Sequence, residues 1–468
     1  MPASYMSLFP HAQLQMQAIR TNLKGLLATS QLTQSAIEQG KDILNIQMSM
    51  GSSVAQAMRE CYNTPISGKK YDFGRVFQKW GELWGAFFSD QLSIQYSLYQ
   101  QELETTVEFI NFLTDEPPQQ TWTIPQENFQ FLLDLPGMRL IDISLPINHQ
   151  VPNYTVVFAP RAGHDSNIAE KTALFLREQG LSRMAIVEQK CADDIPVYID
   201  GKRHYENFDS QVNQYRQILV CLKERAGVPS HLVAVCQPGP LLMATLICNP
   251  ELGRTFGSAG SPMHTEAERG FLTDFARTAG TGFIDTLMTL FPLIINHCKT
   301  GAGRKAYDGR LHILGFYWLG MLQHMKNYSA FLAALRKGDH QAVERQRTFY
   351  QWYNTVNHLP EGFIKDTYKK IFVGNELVHG TLKIDNHTIG INDYPNNVPI
   401  WALGGSRDNI APPLQATGHI DLLHGLPADQ KLELICNAGH MGLFRSQKIL
   451  ERYYTKIAAF LRNNSNMA

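Results

Sequence analysis

Along residues 12–60, apolar side chains recur at helical spacing. Ile19, Leu23, Leu26, Leu27, Ile37, Leu44 and Val54 alternate with Gln, Ser, Thr and Asn. A second helical pattern runs from 72 to 113. Its apolar stripe is wide and aromatic, with Phe73, Phe77, Trp80, Trp84, Phe87 and Phe88. Three prolines in the polar stretch 115–125 then mark a linker. Beyond it the period changes. Apolar, β-branched runs at 139–144, 155–158, 184–188, 232–235, 398–403 and 431–436 read as strands. Helical patterns at 165–179, 208–227, 239–248, 411–424 and 446–462 follow several of them. Strands alternating with helices predict a mostly parallel sheet covered on both faces. Between the run at 254–258 and the one at 398 lies mainly helical, aromatic-rich sequence, too long for a plain loop and so an inserted subdomain. The expected organisation is an N-terminal helical region (1–115), a first α/β part (126–262), a cap insertion (263–395) and a second α/β part (396–468).

Composition narrows the function. The 468 residues are 44% hydrophobic, which excludes disorder as the main state. Lys+Arg and Asp+Glu number 42 each, a balance that argues against nucleic acid as a partner. The most apolar run, 283–298, is broken by Asp285, Pro292 and Asn296, so no membrane span is expected. No leader pattern opens the chain, and a cytoplasmic location is the expectation. Seven irregularly spaced cysteines without C-x-x-C predict no disulfide framework. No H-E-x-x-H or Cys/His pair spacing suggests zinc, so neither metal nor cofactor is expected. The glycine-rich stretch 301–305 lacks the spacing of a phosphate loop and reads as a solvated loop.

Chemistry in a parallel sheet collects where strands end. Three predicted strand ends carry reactive groups: Cys236 after 231–235, Asp408 after Gly404 and Gly405, and His440 after Gly439. Each has a plainer reading alone: a packed thiol, a turn carboxylate, a backbone-binding imidazole. Together, in the order Cys, Asp, His, they match an α/β-hydrolase whose nucleophile sits on a strand-to-helix elbow. Only a thiolate attacks, so the thiol needs a base, and the base needs a carboxylate to hold its tautomer. Backbone N–H of Gln237 is one expected oxyanion donor, and the loop 159–164, at Arg161 or Ala162, the second. The elbow departs from G-x-nucleophile-x-G, with Ala234 and Pro238 at the flanking positions. His164 is expected to shape the oxyanion loop and Cys191 to pack.

These residues carry a family likeness. The segments 159–164 (Ala-Pro-Arg-Ala-Gly-His), 233–238 (Val-Ala-Val-Cys-Gln-Pro), 257–262, 324–328, 349–353, 404–410 and 439–444 resemble the intracellular poly(3-hydroxybutyrate) depolymerases, relatives of polyhydroxyalkanoate synthases. The likeness covers roughly 150–460. It implies an α/β-hydrolase fold and a polyester-cleaving Cys236–Asp408–His440 triad working through a thioester, at the surface of cytoplasmic storage granules. The substrate would be granule polymer or soluble oligomers, and the chain's own copies are the other partner considered. Two departures stand out: Asn409 where the family typically has a second acid, and Arg161 where it has a small polar residue. A coenzyme A-dependent synthase or acyltransferase is the runner-up, disfavoured by the missing glycine-flanked cysteine box. A phasin-like, non-catalytic granule protein is the third reading. The aromatics of the insertion, Phe316 to Trp318 and Phe349 to Tyr353 among them, suit an aliphatic polyester, though most are expected to form the insertion's own core.

Overall fold

The computed structural model describes residues 18, 21, 22, 99–114, 122–125 and 128–466. The expected helix 12–60 thus lies outside the described residues but for three positions, as do 72–98 of the second helix and most of the linker. Helix α1, Tyr99–Thr114, is the described end of that second pattern.

Chain contacts divide the protein into two units: Met1–Pro117 with Met321–Gln351, and Pro118–Gly320 with Trp352–Ala468. In the first unit, α1 packs on residues of the 321–351 segment through aromatic rings. Phe112 lies 4.3 Å from Phe331 between ring centroids, and Tyr328 stacks on Tyr350 at 4.6 Å. His324 Nδ1 and the Tyr350 hydroxyl are hydrogen-bonded at 2.9 Å inside this cluster.

The second unit is built on an eight-stranded sheet. Its strands are β1 (Gln130–Asp134), β2 (Met138–Asp142), β3 (Thr155–Phe158), β4 (Met184–Gln189), β5 (Ser230–Val235), β6 (Gly253–Ala259), β7 (Ile400–Gly405) and β8 (Lys431–Cys436). Their spatial order is β1-β2-β4-β3-β5-β6-β7-β8. β2 runs antiparallel to both β1 and β4, and every later pairing is parallel. This is the α/β-hydrolase fold. The central strands β3 and β5 are buried at every position, which is why they read as unbroken apolar runs. Strand β8, at the edge, alternates in burial instead.

Helix α2 (Glu170–Glu178) follows β3, α3 (Phe208–Ala226) follows β4 and α4 (Gly239–Cys248) follows β5. Asn207 caps α3 by accepting the Ser210 N–H at 3.1 Å, and Gly227 ends it at φ 75°. Among the described residues no helix is long and apolar enough to cross a membrane.

Three expectations change. β1 was not expected: its five residues are half-exposed at the sheet edge and carry no buried-strand pattern. The helix expected over 411–424 is a short helix Pro413–Thr417 and a separate turn Ile420–Leu422, parted at Gly418. The stretch 301–305 is solvated only in part, at Gly303 and Lys305. Gly301 is buried and donates its N–H to Asp193 O at 2.7 Å, and a side chain there would lie 2.3 Å from Ala192 O. Arg304 is buried beside it, bonded to the carbonyls of Pro196 and His204. Gly301 serves a close backbone approach, and Gly303 takes φ 78° in open space.

Candidate active site

Strand β5 ends at Val235 and α4 starts at Gly239, so the chain reverses within three residues. Cys236 takes the strain, at φ 62°, the left-handed region that costs a non-glycine residue about 1–2 kcal/mol. Three contacts hold it there. Its N–H donates to Ala259 O at 2.9 Å, its carbonyl accepts the Gly239 N–H at 3.4 Å, and the buried Ser261 hydroxyl donates to the same carbonyl. A side chain at Gly239 would lie 2.6 Å from Ser261, so glycine stands one place beyond the usual pattern because Ser261 comes so close. Pro238 sits at the helix start, where its missing N–H leaves no bond unmade. Ser261→Ala is expected to lower kcat about tenfold, the weight of one hydrogen bond to a buried carbonyl, with KM little changed. Steady-state kinetics checks this; an unchanged kcat would mean the elbow holds its strain without Ser261.

Asp408 and His440 come from the loops after β7 and β8. Asp408 is buried, and its Oδ1 accepts the N–H groups of Ile410 (2.9 Å) and Ala411 (3.0 Å). That fixes the carboxylate so that Oδ2 meets His440 Nδ1 at 2.7 Å. His440 Nε2 then faces Cys236 Sγ at 3.1 Å. Phe444 presents its edge to the imidazole, with ring centroids 5.4 Å apart. Burial pushes the His440 pKa down, but the Asp408 carboxylate and the Cys236 sulfur outweigh it and hold it well above the ordinary range. With Nδ1–H directed at Asp408, Nε2 is the nitrogen able to take a proton from sulfur.

The loop 159–164 ends β3 beside this elbow. Arg161 N–H donates to Gln237 Oε1 at 3.3 Å, tying the loop to the residue after the cysteine. Ala162, Gln237 and Cys236 are half-buried. The Arg161 side chain, unlike its backbone, is tied to other parts of the chain. Its guanidinium is buried against Glu206 Oε1 (2.8 Å) and donates to Gly137 O (2.5 Å). Glu206 Oε2 also meets His204 Nε2 at 2.6 Å, and Gln211 and Gln214 donate to the same carboxylate. His164 packs among Trp352, Tyr353 and Phe316, with centroids at 4.7, 4.9 and 5.5 Å.

Ser261 and Glu206 were missed from sequence. Ser261 lies in the likeness segment 257–262, but neither residue has a role legible there, because each acts through a tertiary contact with a residue far along the chain. Cys191 is a packed thiol: burial pushes its pKa up to about 12, and its sulfur accepts the His358 N–H at 3.2 Å. Of the insertion's aromatics, Phe331, Tyr350, Trp352 and Tyr353 are buried, while Phe316, Tyr317 and Trp318 are half-buried. Among the described residues no group of three or more His, Cys, Asp or Glu side chains is placed to hold a metal ion.

Residues 260–465 match the family model described as PHB de-polymerase C-terminus. This segment is thus similar to the C-terminal part of PHB depolymerases. The matched segment contains Ser261, Asp408 and His440 and begins after the elbow, so Cys236 precedes it. No curated protein matches the sequence. Solved structures similar in chain path include the monoglyceride lipase of Saccharomyces cerevisiae, 12% identical with TM-score 0.46, covering 75% of this chain and 99% of that one. Another is the monoacylglycerol lipase of Paleococcus ferrophilus, 12% identical with TM-score 0.42, covering 70% and 99%. A thioesterase domain from the curacin biosynthetic pathway is 13% identical with TM-score 0.37, covering 71% and 98%.

Proposed function

We propose that this protein is a carboxylic ester hydrolase that depolymerises stored polyhydroxyalkanoate, with Cys236 as nucleophile, His440 as acid and base, and Asp408 orienting His440. The observation that carries the reading is the continuous line Asp408 Oδ2–His440 Nδ1 (2.7 Å) and His440 Nε2–Cys236 Sγ (3.1 Å) on a strained elbow. It is joined by the depolymerase family match over 260–465.

In the first step the Cys236 proton passes to His440 Nε2 and the thiolate attacks an ester carbonyl. Backbone N–H of Gln237 and of Ala162 receive the developing oxyanion, since the Arg161 N–H is already given to Gln237 Oε1. A C–S bond forms and the C–O bond breaks, and His440 returns its proton to the departing alkoxide. Water, losing a proton to His440, then attacks the thioester. The acid leaves and the thiol is restored. Acylation removes the sulfur's charge from beside His440. One of the influences that raises the imidazole pKa is thereby lost, and the neutral base needed for the second step is favoured. The parts of the insertion that belong to the second unit, 263–320 and 352–395, serve as the cap over this site, and the place of action is the surface of cytoplasmic polymer granules.

The test is release of 3-hydroxybutyrate or its oligomers from amorphous poly(3-hydroxybutyrate) granules, with and without coenzyme A. Release by wild type and none by Cys236→Ala is the expected result. Granule binding without release in the wild type would replace the enzyme reading with that of a binding protein.

A further inference from the structure

Helix α5, Gly309–Leu319, belongs to the inserted part of the second unit. Its first turn rests on the loop after β3: Gly163 lies against Gly309 and His312, near enough that a side chain there would touch both at 3.5 Å. Phe316 stacks on His164 of the same loop. At its other end, Leu319 O accepts a hydrogen bond from Asn409 Nδ2 at 2.7 Å. Asn409 directly follows Asp408 in the loop after β7.

In the sheet order, β3 and β7 are separated by β5 and β6. Three strand spacings come to about 14 Å. An 11-residue helix is about 16 Å long. A helix of that length with one end on the β3 loop and the other on the β7 loop crosses the carboxyl edges of β5 and β6. Cys236 sits at the first of these edges.

We propose that α5 roofs the thiol and that Asn409 is the latch of that roof, a positioning residue governing how large a molecule reaches Cys236. The inference rests on the proposed reaction only for the identity of that molecule, an uncharged ester chain. The chemistry of the latch is specific. The last carbonyls of a helix lack intrahelical donors, and an amide side chain supplies one. A carboxylate cannot donate this bond, and its charge would face the negative end of the helix. The amide at this position therefore ties the roof down, and an acid at the same place would release it.

The test reads access to sulfur, independently of turnover. Cys236 is alkylated with iodoacetamide and, in parallel, with a bulky aryl maleimide, and labelling of its peptide is quantified by mass spectrometry so that the exposed Cys248 and Cys298 do not interfere. In Asn409→Asp and Asn409→Ala the maleimide rate relative to iodoacetamide should rise about fivefold, the population change expected from one lost hydrogen bond. Asn409 is exposed, so both variants should keep the wild-type melting temperature. An unchanged ratio in the two folded variants overturns the latch. A raised ratio in a protein that hydrolyses no ester supports the latch and removes the proposed reaction instead.

Discussion

Replacing Cys236 by Ala is expected to reduce ester turnover by roughly 10⁴-fold or more while leaving the fold intact. The sulfur faces His440 Nε2 at 3.1 Å, and Ala supplies nothing that can form the acyl intermediate. His440→Ala should cost about as much, and the double variant little more than either, because groups that act as a unit lose their effect together. The same substitution carries a second readout. Burial lowers the His440 pKa, whereas Asp408 and then Cys236 raise it, with a net rise. Cys236→Ala removes one of the raising charges, so the imidazole should titrate at lower pH than in wild type, followed by NMR of its ring protons. An unmoved titration would mean that Cys236 places no negative charge on the imidazole and that the pair rests as neutral thiol and imidazole.

Glu206→Gln is the second large effect, and it acts on the scaffold of the oxyanion loop. Glu206 is fully buried, with Arg161, His204, Gln211 and Gln214 around its two oxygens. Burial raises its pKa, but the Arg161 and His204 charges overcome this and hold it at about 2. The neutral amide leaves the Arg161 guanidinium, 2% exposed, without its counter-charge. Breaking one side of such a pair costs about 3–5 kcal/mol. The expected result is a lower denaturation midpoint of that size, together with reduced turnover as the Arg161 backbone loosens beside Gln237. Removing both charges in Glu206→Gln with Arg161→Met should recover part of the loss, since Arg161 is then no longer a lone buried charge, while the buried Arg304, which Glu206 also faces, keeps the recovery partial. A midpoint shift below 1 kcal/mol for the single variant would sink this account. The pH dependence has a definite sign. A carboxylate depressed to about 2 stabilises the fold above its unfolded pKa of ~4.3, and that contribution fades as pH falls from there towards 2.

The amino-acid sequence by itself determined the class of fold and the placing of Cys236, Asp408 and His440 at strand ends. Short, β-branched apolar runs such as Leu232–Val235 read as strands buried on both faces, and strands alternating with helices close into a parallel sheet. Once the strands are placed, Cys236, Asp408 and His440 each stand just past a strand end, so their approach follows from sheet order alone. Strand β1 escaped notice because a half-exposed edge strand has little burial to impose a pattern.

Only the tertiary structure decided the rest. That the Arg161 guanidinium can be buried depends on Glu206, 45 residues on, and that Cys236 holds φ 62° depends on Ser261, which reaches back 25 residues to its carbonyl. That Asn409 ties down α5 depends on a carbonyl 90 residues earlier. None of these partners leaves a local spacing or period behind. The physical reason is the range of the interactions: periodicity records which face of an element is buried, whereas a hydrogen bond or ion pair between distant loops is settled only when the sheet brings those loops together.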